Sequence, residues 1–238
     1  MDFLIFRLYG DYAHFKKYYT TTSPLTFDFP PRTVASGIIG AILGLGKTKT
    51  DDNCYLKYFA KKDAHIGIRI NTAIEKQIIP VNYLKTTDKK GFRGMGQRKQ
   101  IRLEVVKKPD YTVYFAHNDP GLYKNFKAHL KNRHSVYTPY LGSSEFITAV
   151  DFIDEVRNID PLAAEDYILV HSVLNDAEIK DIQFEAGREY MKSHMPGEMN
   201  DDRIVTEYIE ALYERKGQGI SCLPGRYYKI RRENISLL

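Results

Sequence analysis

The pattern of apolar and polar positions predicts six strands and two helices within the first 156 residues. Alternation of apolar and polar residues is typical of strands, whereas apolar residues three or four apart are typical of helices. The predicted strands cover residues 3–9, 65–70, 75–84, 101–106, 111–115 and 147–156, and the predicted helices cover residues 31–44 and 119–130. Pro31 supports the start of the first helix, because a proline in the first turn has no N–H to leave unpaired.

Residues 85–102 interrupt this pattern. The stretch KTTDKKGFRGMGQRKQIR holds seven basic residues, one acid and three glycines, and its apolar residues follow no period. Such a segment cannot pack into a core, and its glycines favour turns. We therefore expect an exposed loop or the tip of a long hairpin.

The order of elements predicts an α+β fold. A strand, a helix, two strands joined through the inserted hairpin, a helix and a last strand form the βαββαβ pattern of ferredoxin-like (RRM-like) domains. We expect this domain to cover residues 1–158. Residues 159–238 are expected to form a small acidic α+β region, with strands near 168–173, 179–184 and 227–230 and an acidic helix over 202–215.

Charge is distributed unevenly along the chain. Lys and Arg outnumber Asp and Glu by 24 to 11 in residues 1–144, whereas acids outnumber bases by 18 to 6 in residues 145–215. Residues 216–238 are basic again, so the net charge is only +5. This asymmetry indicates one surface for a polyanion and another for a different partner. We expect the acidic segment to face protein or solvent, because its carboxylates repel phosphates.

Aromatic and basic residues alternate in the loop after the first strand and at the start of the first helix. Rings stack on bases while cations contact phosphates, so this mixture suits single-stranded nucleic acid. Tyr and Phe also fill the cores of sheets, and composition alone favours that role. The residues that we expect to contact RNA are His14, Phe15, Lys16, Lys17, Tyr18, Tyr19, Arg32 and Thr33, together with Lys89, Lys90, Arg93, Arg98, Lys99 and Arg102 of the basic stretch. Within this set, Lys16 and an exposed Arg32 are expected to hold phosphates, and Phe15 or Tyr18 to stack on a base.

Other classes of protein find less support in the sequence. No apolar run approaches the roughly 20 residues of a membrane span, and the first residues do not form a signal peptide. The two cysteines are far apart and the seven histidines are scattered, so we expect neither a metal site nor a cofactor. These features favour a cytoplasmic protein. A metal-independent ribonuclease needs only a base, an acid and a cation, and His14, Lys17 and Tyr18 are the alternative catalytic set.

Several ordered runs resemble a known family. Residues 8–16, 21–27 and 29–44, the last reading FPPRTVASGIIGAILG, resemble the N-terminal signature of the CRISPR-associated Cas5 proteins of the RAMP superfamily. Residues 140–146, YLGSSEF, resemble the second and shorter landmark of that family. The sequence of the first signature is most similar to that of the type I-B branch.

The resemblance implies a subunit of Cascade, the complex that carries a CRISPR RNA. Members of the family cap the complex at the 5′ handle of that RNA, where a thumb-like hairpin crosses the RNA. Residues 85–102 lie where that hairpin is inserted, and Ser143 and Ser144 of the second landmark join the expected RNA contacts. The implied partners are the backbone subunit, the large subunit and target DNA near the PAM end, with no membrane. Type I-C members cleave the repeat RNA, whereas other members only bind it, and we expect a binding subunit rather than an enzyme.

Overall fold

The computed structural model describes residues 1–20, 24–48, 50–84 and 98–238. Strands predominate in this part of the chain, and its two α-helices are α1, Arg32–Leu43, and α2, Pro120–Lys131. Short 3₁₀ turns cover Tyr55–Lys57 and Asp176–Glu178. The strands are β1 Phe3–Tyr9, β2 Tyr12–Ala13, β3 Phe15–Lys16, β4 Thr26–Phe27, β5 Ala64–Ile70, β6 Glu75–Leu84, β7 Arg98–Lys107, β8 Asp110–His117, β9 Ala149–Val156, β10 Pro161–Leu162, β11 Ile168–Val170, β12 Leu174–Asn175, β13 Ile179–Ile182, β14 Tyr190–Met199, β15 Val205–Glu214, β16 Ile220–Pro224, β17 Tyr227–Ile230 and β18 Glu233–Ile235.

A four-stranded antiparallel sheet forms the centre of the molecule, in the order β5-β8-β1-β9. Its β1 strand is buried on both faces. Leu4, Phe6 and Leu8 belong to the core that includes the apolar residues of α1 and α2. Phe3 and Ile5, on the other face, pack with residues of β17 and β18. The alternating side chains of one strand therefore fill two cores.

Both α-helices have the ends that their sequences predict. Gly44 follows α1 in the left-handed region with φ of 75°, a conformation that glycine adopts without steric cost. The carboxylate of Asp119 accepts hydrogen bonds from the backbone N–H groups of Gly121 and Leu122 and so caps α2. At 12 residues each, these helices are too short to span a membrane.

The basic stretch is flanked by a long hairpin. β6 and β7 pair antiparallel over their whole length, from Glu75 opposite Lys107 to Leu84 opposite Arg98. These two strands form the stem of a hairpin that extends well beyond the predicted insertion of residues 85–102. Residues 85–97, which join the two strands, lie outside the described residues.

The last 80 residues differ from their prediction. Residues 202–215 do not form a helix, because β15 runs through Val205–Glu214 and pairs with β14. Ile209, Ala211 and Tyr213 are buried at every second position, which is the strand period. The prediction of an acidic helix is therefore wrong, since strand pairing with a distant segment outweighs the weak local preference of these residues. β12 pairs with the other edge of β15, and the other strands of this region form a six-stranded sheet in the order β10-β17-β18-β11-β16-β13.

Candidate nucleic-acid interface

The loop after β2 is fixed from both sides. His14 is buried, and its ring Nδ1 lies 2.7 Å from the carbonyl oxygen of Glu104, so Nδ1 carries the proton and donates. Its backbone N–H donates to the carbonyl of Leu141 at 3.0 Å. Burial lowers the pKa of His14, and the adjacent Lys16 lowers it further. His14 therefore positions the loop on β7 and on the 140–146 turn.

Phe15 is a core residue. It is 1% exposed, and its ring lies 6.1 Å from that of Tyr111. The same residue's backbone N–H donates to the hydroxyl of Thr26, which closes the β3–β4 pair. The expectation that Phe15 stacks on a base is wrong for this reason: its ring already fills the core beneath the loop.

Tyr18 and Tyr19, in contrast, are exposed at 48% and 58%. The ring of Tyr18 lies 5.2 Å from that of Tyr208 on β15, and His194 on β14 stacks on Tyr208 at 4.8 Å. Lys16 is exposed and Lys17 is half-buried, with its Nζ 6.0 Å from the ring of Tyr19. The loop thus presents cations and rings to solvent, as expected. Sequence reasoning missed Tyr208 and His194. It places Tyr208 in the predicted helix over residues 202–215, and it places His194 in no element.

Arg32 is not at the surface. The residue is 1% exposed, and its Nη2 donates to the carbonyls of Phe59 at 3.0 Å and Ala64 at 2.7 Å. Its Nη1 donates to the carbonyl of Gly197 on β14 at 3.3 Å. Burial lowers the pKa of Arg32 to about 10, against the opposing effect of Glu198 and Glu207. The expectation of an exposed, phosphate-binding Arg32 is wrong: its side chain joins α1 to β14 and to the segment before β5. Thr33 is also buried.

The described cations of the basic stretch are exposed on β7. Arg98 and Arg102 project from one face of the hairpin, opposite Leu84 and Pro80 of β6, and Lys99 projects from the other face. None of these three forms an ion pair with a described residue. Lys89, Lys90 and Arg93 lie outside the described residues. A strand whose three outer cations pair with no described residue can contact phosphates without losing any of the described interactions.

Ser143 and Ser144 are engaged within their own turn. Both hydroxyls donate to the carboxylate of Glu145, which also accepts from the hydroxyl of Tyr83 on β6 at 3.5 Å. These hydrogen bonds lower the pKa of Glu145. The turn therefore contacts the hairpin stem through a carboxylate rather than presenting free hydroxyls.

Glu104 holds the loop and the hairpin together. Its carboxylate accepts from the backbone N–H of Thr26 at 2.9 Å, and its own backbone N–H donates to Pro24 at 3.1 Å. Beside it, the Nζ of Lys76 lies 2.5 Å from the buried carboxylate of Asp28. These contacts fix the β3–β4 segment, which carries Lys16 and Lys17, to the hairpin that carries the β7 cations.

The side chains of the alternative catalytic set, His14, Lys17 and Tyr18, contact different parts of the protein. The ring of His14 contacts β7, whereas the ring of Tyr18 contacts β15. Lys17 Nζ lies over the rings of Tyr19 and Phe27. Within the described part of the chain, no group of three or more His, Cys, Asp or Glu side chains is placed to hold a metal ion.

Comparison with known proteins identifies the family. Residues 3–216 match the model of the family described as CRISPR-associated protein (Cas_Cas5). The chain belongs to the Cas5 family. The resemblance found in residues 8–44 and 140–146 is thereby confirmed over nearly the whole chain.

Solved structures of CRISPR proteins share the fold of this Cas5 chain. A crystal structure of a CRISPR protein from Archaeoglobus fulgidus has a TM-score of 0.59 and 12% identity, covering 99% of this chain and 98% of that one. A chain of a CRISPR RNA-guided surveillance complex has a TM-score of 0.52 and 12% identity, covering 95% and 91%. No curated protein matches the chain by sequence.

Proposed function

We propose that this Cas5 protein is an RNA-binding subunit of a type I CRISPR effector complex, of the I-B branch, and that it holds the 5′ handle of the CRISPR RNA. The observation that carries the proposal is the Cas5 family match together with the exposed cations of β7, which form no ion pair in the described part of the chain. A hairpin that projects cations from both faces suits an RNA backbone that passes across it. The exposed Tyr18 and Tyr19 supply stacking surfaces beside it.

We assign the central sheet to the ferredoxin-like topology. The supporting evidence is the strand order β5-β8-β1-β9 with α1 between β1 and β5 and α2 between β8 and β9. RRM domains bind RNA on the open face of such a sheet. Here Tyr228 and Ile230 pack against Phe3 on that face. RNA therefore binds at the loop and the hairpin and not across the sheet.

The acidic region is proposed to face partner proteins. On β15, the carboxylates of Glu207 and Glu210 stand at the surface beside Lys61 and His194. With 18 acids against 6 bases in residues 145–215, this region repels phosphates within a Debye length of about 8 Å. The proposed partners are the backbone and large subunits of Cascade, with target DNA near the PAM end, in the cytoplasm. A pull-down of the tagged protein from its own cells, followed by mass spectrometry, tests these partners.

We propose a holder of RNA rather than a nuclease. The support is the position of His14, whose Nδ1 is committed to Glu104 and whose ring is buried away from solvent. A general base needs access to the proton that it removes.

The test is incubation of the purified protein with RNA of its own CRISPR repeat, in EDTA, with a scrambled RNA as control. We expect binding of the repeat RNA without cleavage. Cleavage that leaves a 2′,3′-cyclic phosphate and is lost in His14→Ala supports the nuclease alternative, and failure to bind the repeat RNA contradicts both.

A further inference from the structure

A cleft of about 580 Å³ runs along the exposed side of α1. Its floor is formed by Gly37 and Ala41, its walls by Tyr55 and Tyr140, and its mouth carries Lys47 and Arg203. We call this cleft the α1 groove. Side chains from four separate segments of the chain converge on it, and none of the contacts described above fills it.

The two glycines of α1 differ in what requires them. A Cβ on Gly40 would lie 2.9 Å from the Cβ of Tyr55, so packing excludes any side chain there. A Cβ on Gly37 would meet nothing nearer than the Tyr55 hydroxyl at 3.9 Å, which is ordinary contact. Glycine inside a helix costs stability relative to alanine. Packing therefore does not explain Gly37, whereas close approach of a ligand to the helix does.

The hydroxyl of Tyr55 is directed to this open place. Tyr55 is 8% exposed, yet its hydroxyl forms no hydrogen bond with any described residue. Burial raises the pKa of Tyr55, so the phenol stays protonated at neutral pH and keeps a proton to donate. The hydroxyl faces the cleft, where a ligand can accept its hydrogen bond.

Aromatic walls and free cations define the chemistry of the ligand. Tyr137 and Tyr140 are 55% and 37% exposed. Their segment is fixed to α1, because the N–H of Tyr137 donates to the carbonyl of Ala41 at 3.0 Å. Lys47 and Arg203 are exposed and form no ion pair with a described residue.

One carboxylate also belongs to the described lining, and it is already engaged. The side chain of Asp51 accepts from the backbone N–H and the hydroxyl of Thr48, at 2.8 and 3.0 Å. Lys47 and Arg203 outnumber this carboxylate, so the net charge of the described lining is positive. A planar ring fits against tyrosines and a glycine floor, and an anion fits the cations at the mouth.

We infer that the α1 groove binds one unpaired ribonucleotide of the bound RNA, with its base against the tyrosine walls and its phosphate at Lys47 and Arg203. This inference rests on the proposed function and deepens it. It makes α1 a second RNA contact, in which base stacking is joined by one phosphate contact, whereas the hairpin acts by charge. The stacking part weakens little with salt, because it releases no counterions.

The deciding variant is Gly37→Leu, which fills the groove without a clash at its Cβ. Gly37→Ala is the conservative variant, and Ala128→Leu, on the exposed side of α2, is the matched control. The probes are the four ribonucleoside 5′-monophosphates, followed by NMR at the Gly40 amide, and the repeat RNA, followed by fluorescence anisotropy. Thermal melting verifies that each variant folds.

We expect at least one monophosphate to shift the Gly40 amide in the wild type and in Ala128→Leu, but not in Gly37→Leu. Repeat RNA should bind Gly37→Leu about five-fold more weakly or worse, with a salt slope lower by at most about 0.7 because one phosphate contact is lost, and Gly37→Ala should bind as the wild type. Monophosphate binding without repeat-RNA binding supports the groove while contradicting the proposed function. Unchanged binding of both probes in a folded Gly37→Leu overturns the groove.

Discussion

Two hairpins of this protein have the same construction and opposite surfaces. β6–β7 and β14–β15 each pair two strands of ten residues. The first carries five cations and two carboxylates, and its outer end is exposed. The second carries one cation and four carboxylates, and its inner face is buried beside α1. Strand pairing alone therefore does not assign a role; charge and the surface left free after packing do so.

Arg32 links α1 to the acidic hairpin, β14–β15, through a hydrogen bond to the carbonyl of Gly197. Arg32→Ala removes the donor to three buried carbonyls, each of which costs about 1–3 kcal/mol when left unpaired. We expect a loss of about 3 kcal/mol or more, which lowers Tm by roughly 6–12 °C in a chain of this size. Thermal melting measures it, with the exposed Arg226→Ala as control. A Tm equal to that of the control contradicts this account of Arg32.

Lys76 lies at the inner end of the basic hairpin, β6–β7, and forms an ion pair with Asp28. Lys76→Met leaves the buried carboxylate of Asp28 without its ion pair, and breaking a largely buried pair costs about 3 kcal/mol. The matched control is Lys107→Met in the same hairpin, which removes an exposed pair with Glu75 at 3.7 Å and costs under about 1 kcal/mol. Urea unfolding compares the two variants. Equal losses would mean that the Asp28 pair contributes no more than a surface pair.

The histidines packed around both cores make stability depend on pH. Burial lowers the pKa of His14, His65 and His171 below the usual 6.5. Below pH 6.5 the unfolded chain therefore binds more protons than the folded chain, and the free energy of unfolding falls as pH falls from 6.5 to the lowered pKa values. Urea titrations between pH 7.5 and 5.5 measure this slope. His14→Gln, which keeps an N–H donor, should flatten the slope. An unchanged slope would show that His14 does not contribute to the pH dependence of stability.

Local patterns predicted most of the fold. The periodicity over residues 31–44 and 119–130 corresponds to α1 and α2, and alternation over 75–84 corresponds to β6, because these signals are set within each segment. The strand β15 was mistaken for a helix, although Val205, Ile209, Ala211 and Tyr213 fit a period of two. Its pairing with β14 depends on chain that is distant in sequence.

The candidate site was predicted less well than the fold. Lys16, Tyr18, Tyr19 and the β7 cations are exposed, and the sequence shows that the apolar period of a neighbouring strand or helix does not require them. Arg32 and Phe15 were misplaced, because the residues that bury them, Gly197 and Tyr111 among others, are remote in the chain. The α1 groove beside Gly37 has no sequence signal of its own, because four separate segments of the chain form it and two of them are remote from α1 in sequence.

The central claim is that the strands of the basic hairpin β6–β7, and not the strands of the acidic hairpin β14–β15, contact RNA phosphates. The most direct test is the salt dependence of repeat-RNA affinity for Arg98→Ala/Lys99→Ala/Arg102→Ala, beside Lys192→Ala/Arg215→Ala/Lys216→Ala, which removes the same charge from the acidic region. The slope of log affinity against log salt should fall by about 0.7 for each lost phosphate contact, roughly two units in all, in the hairpin variant alone. Equal slopes in the two triple variants, or a hairpin variant with the wild-type slope, would contradict the claim.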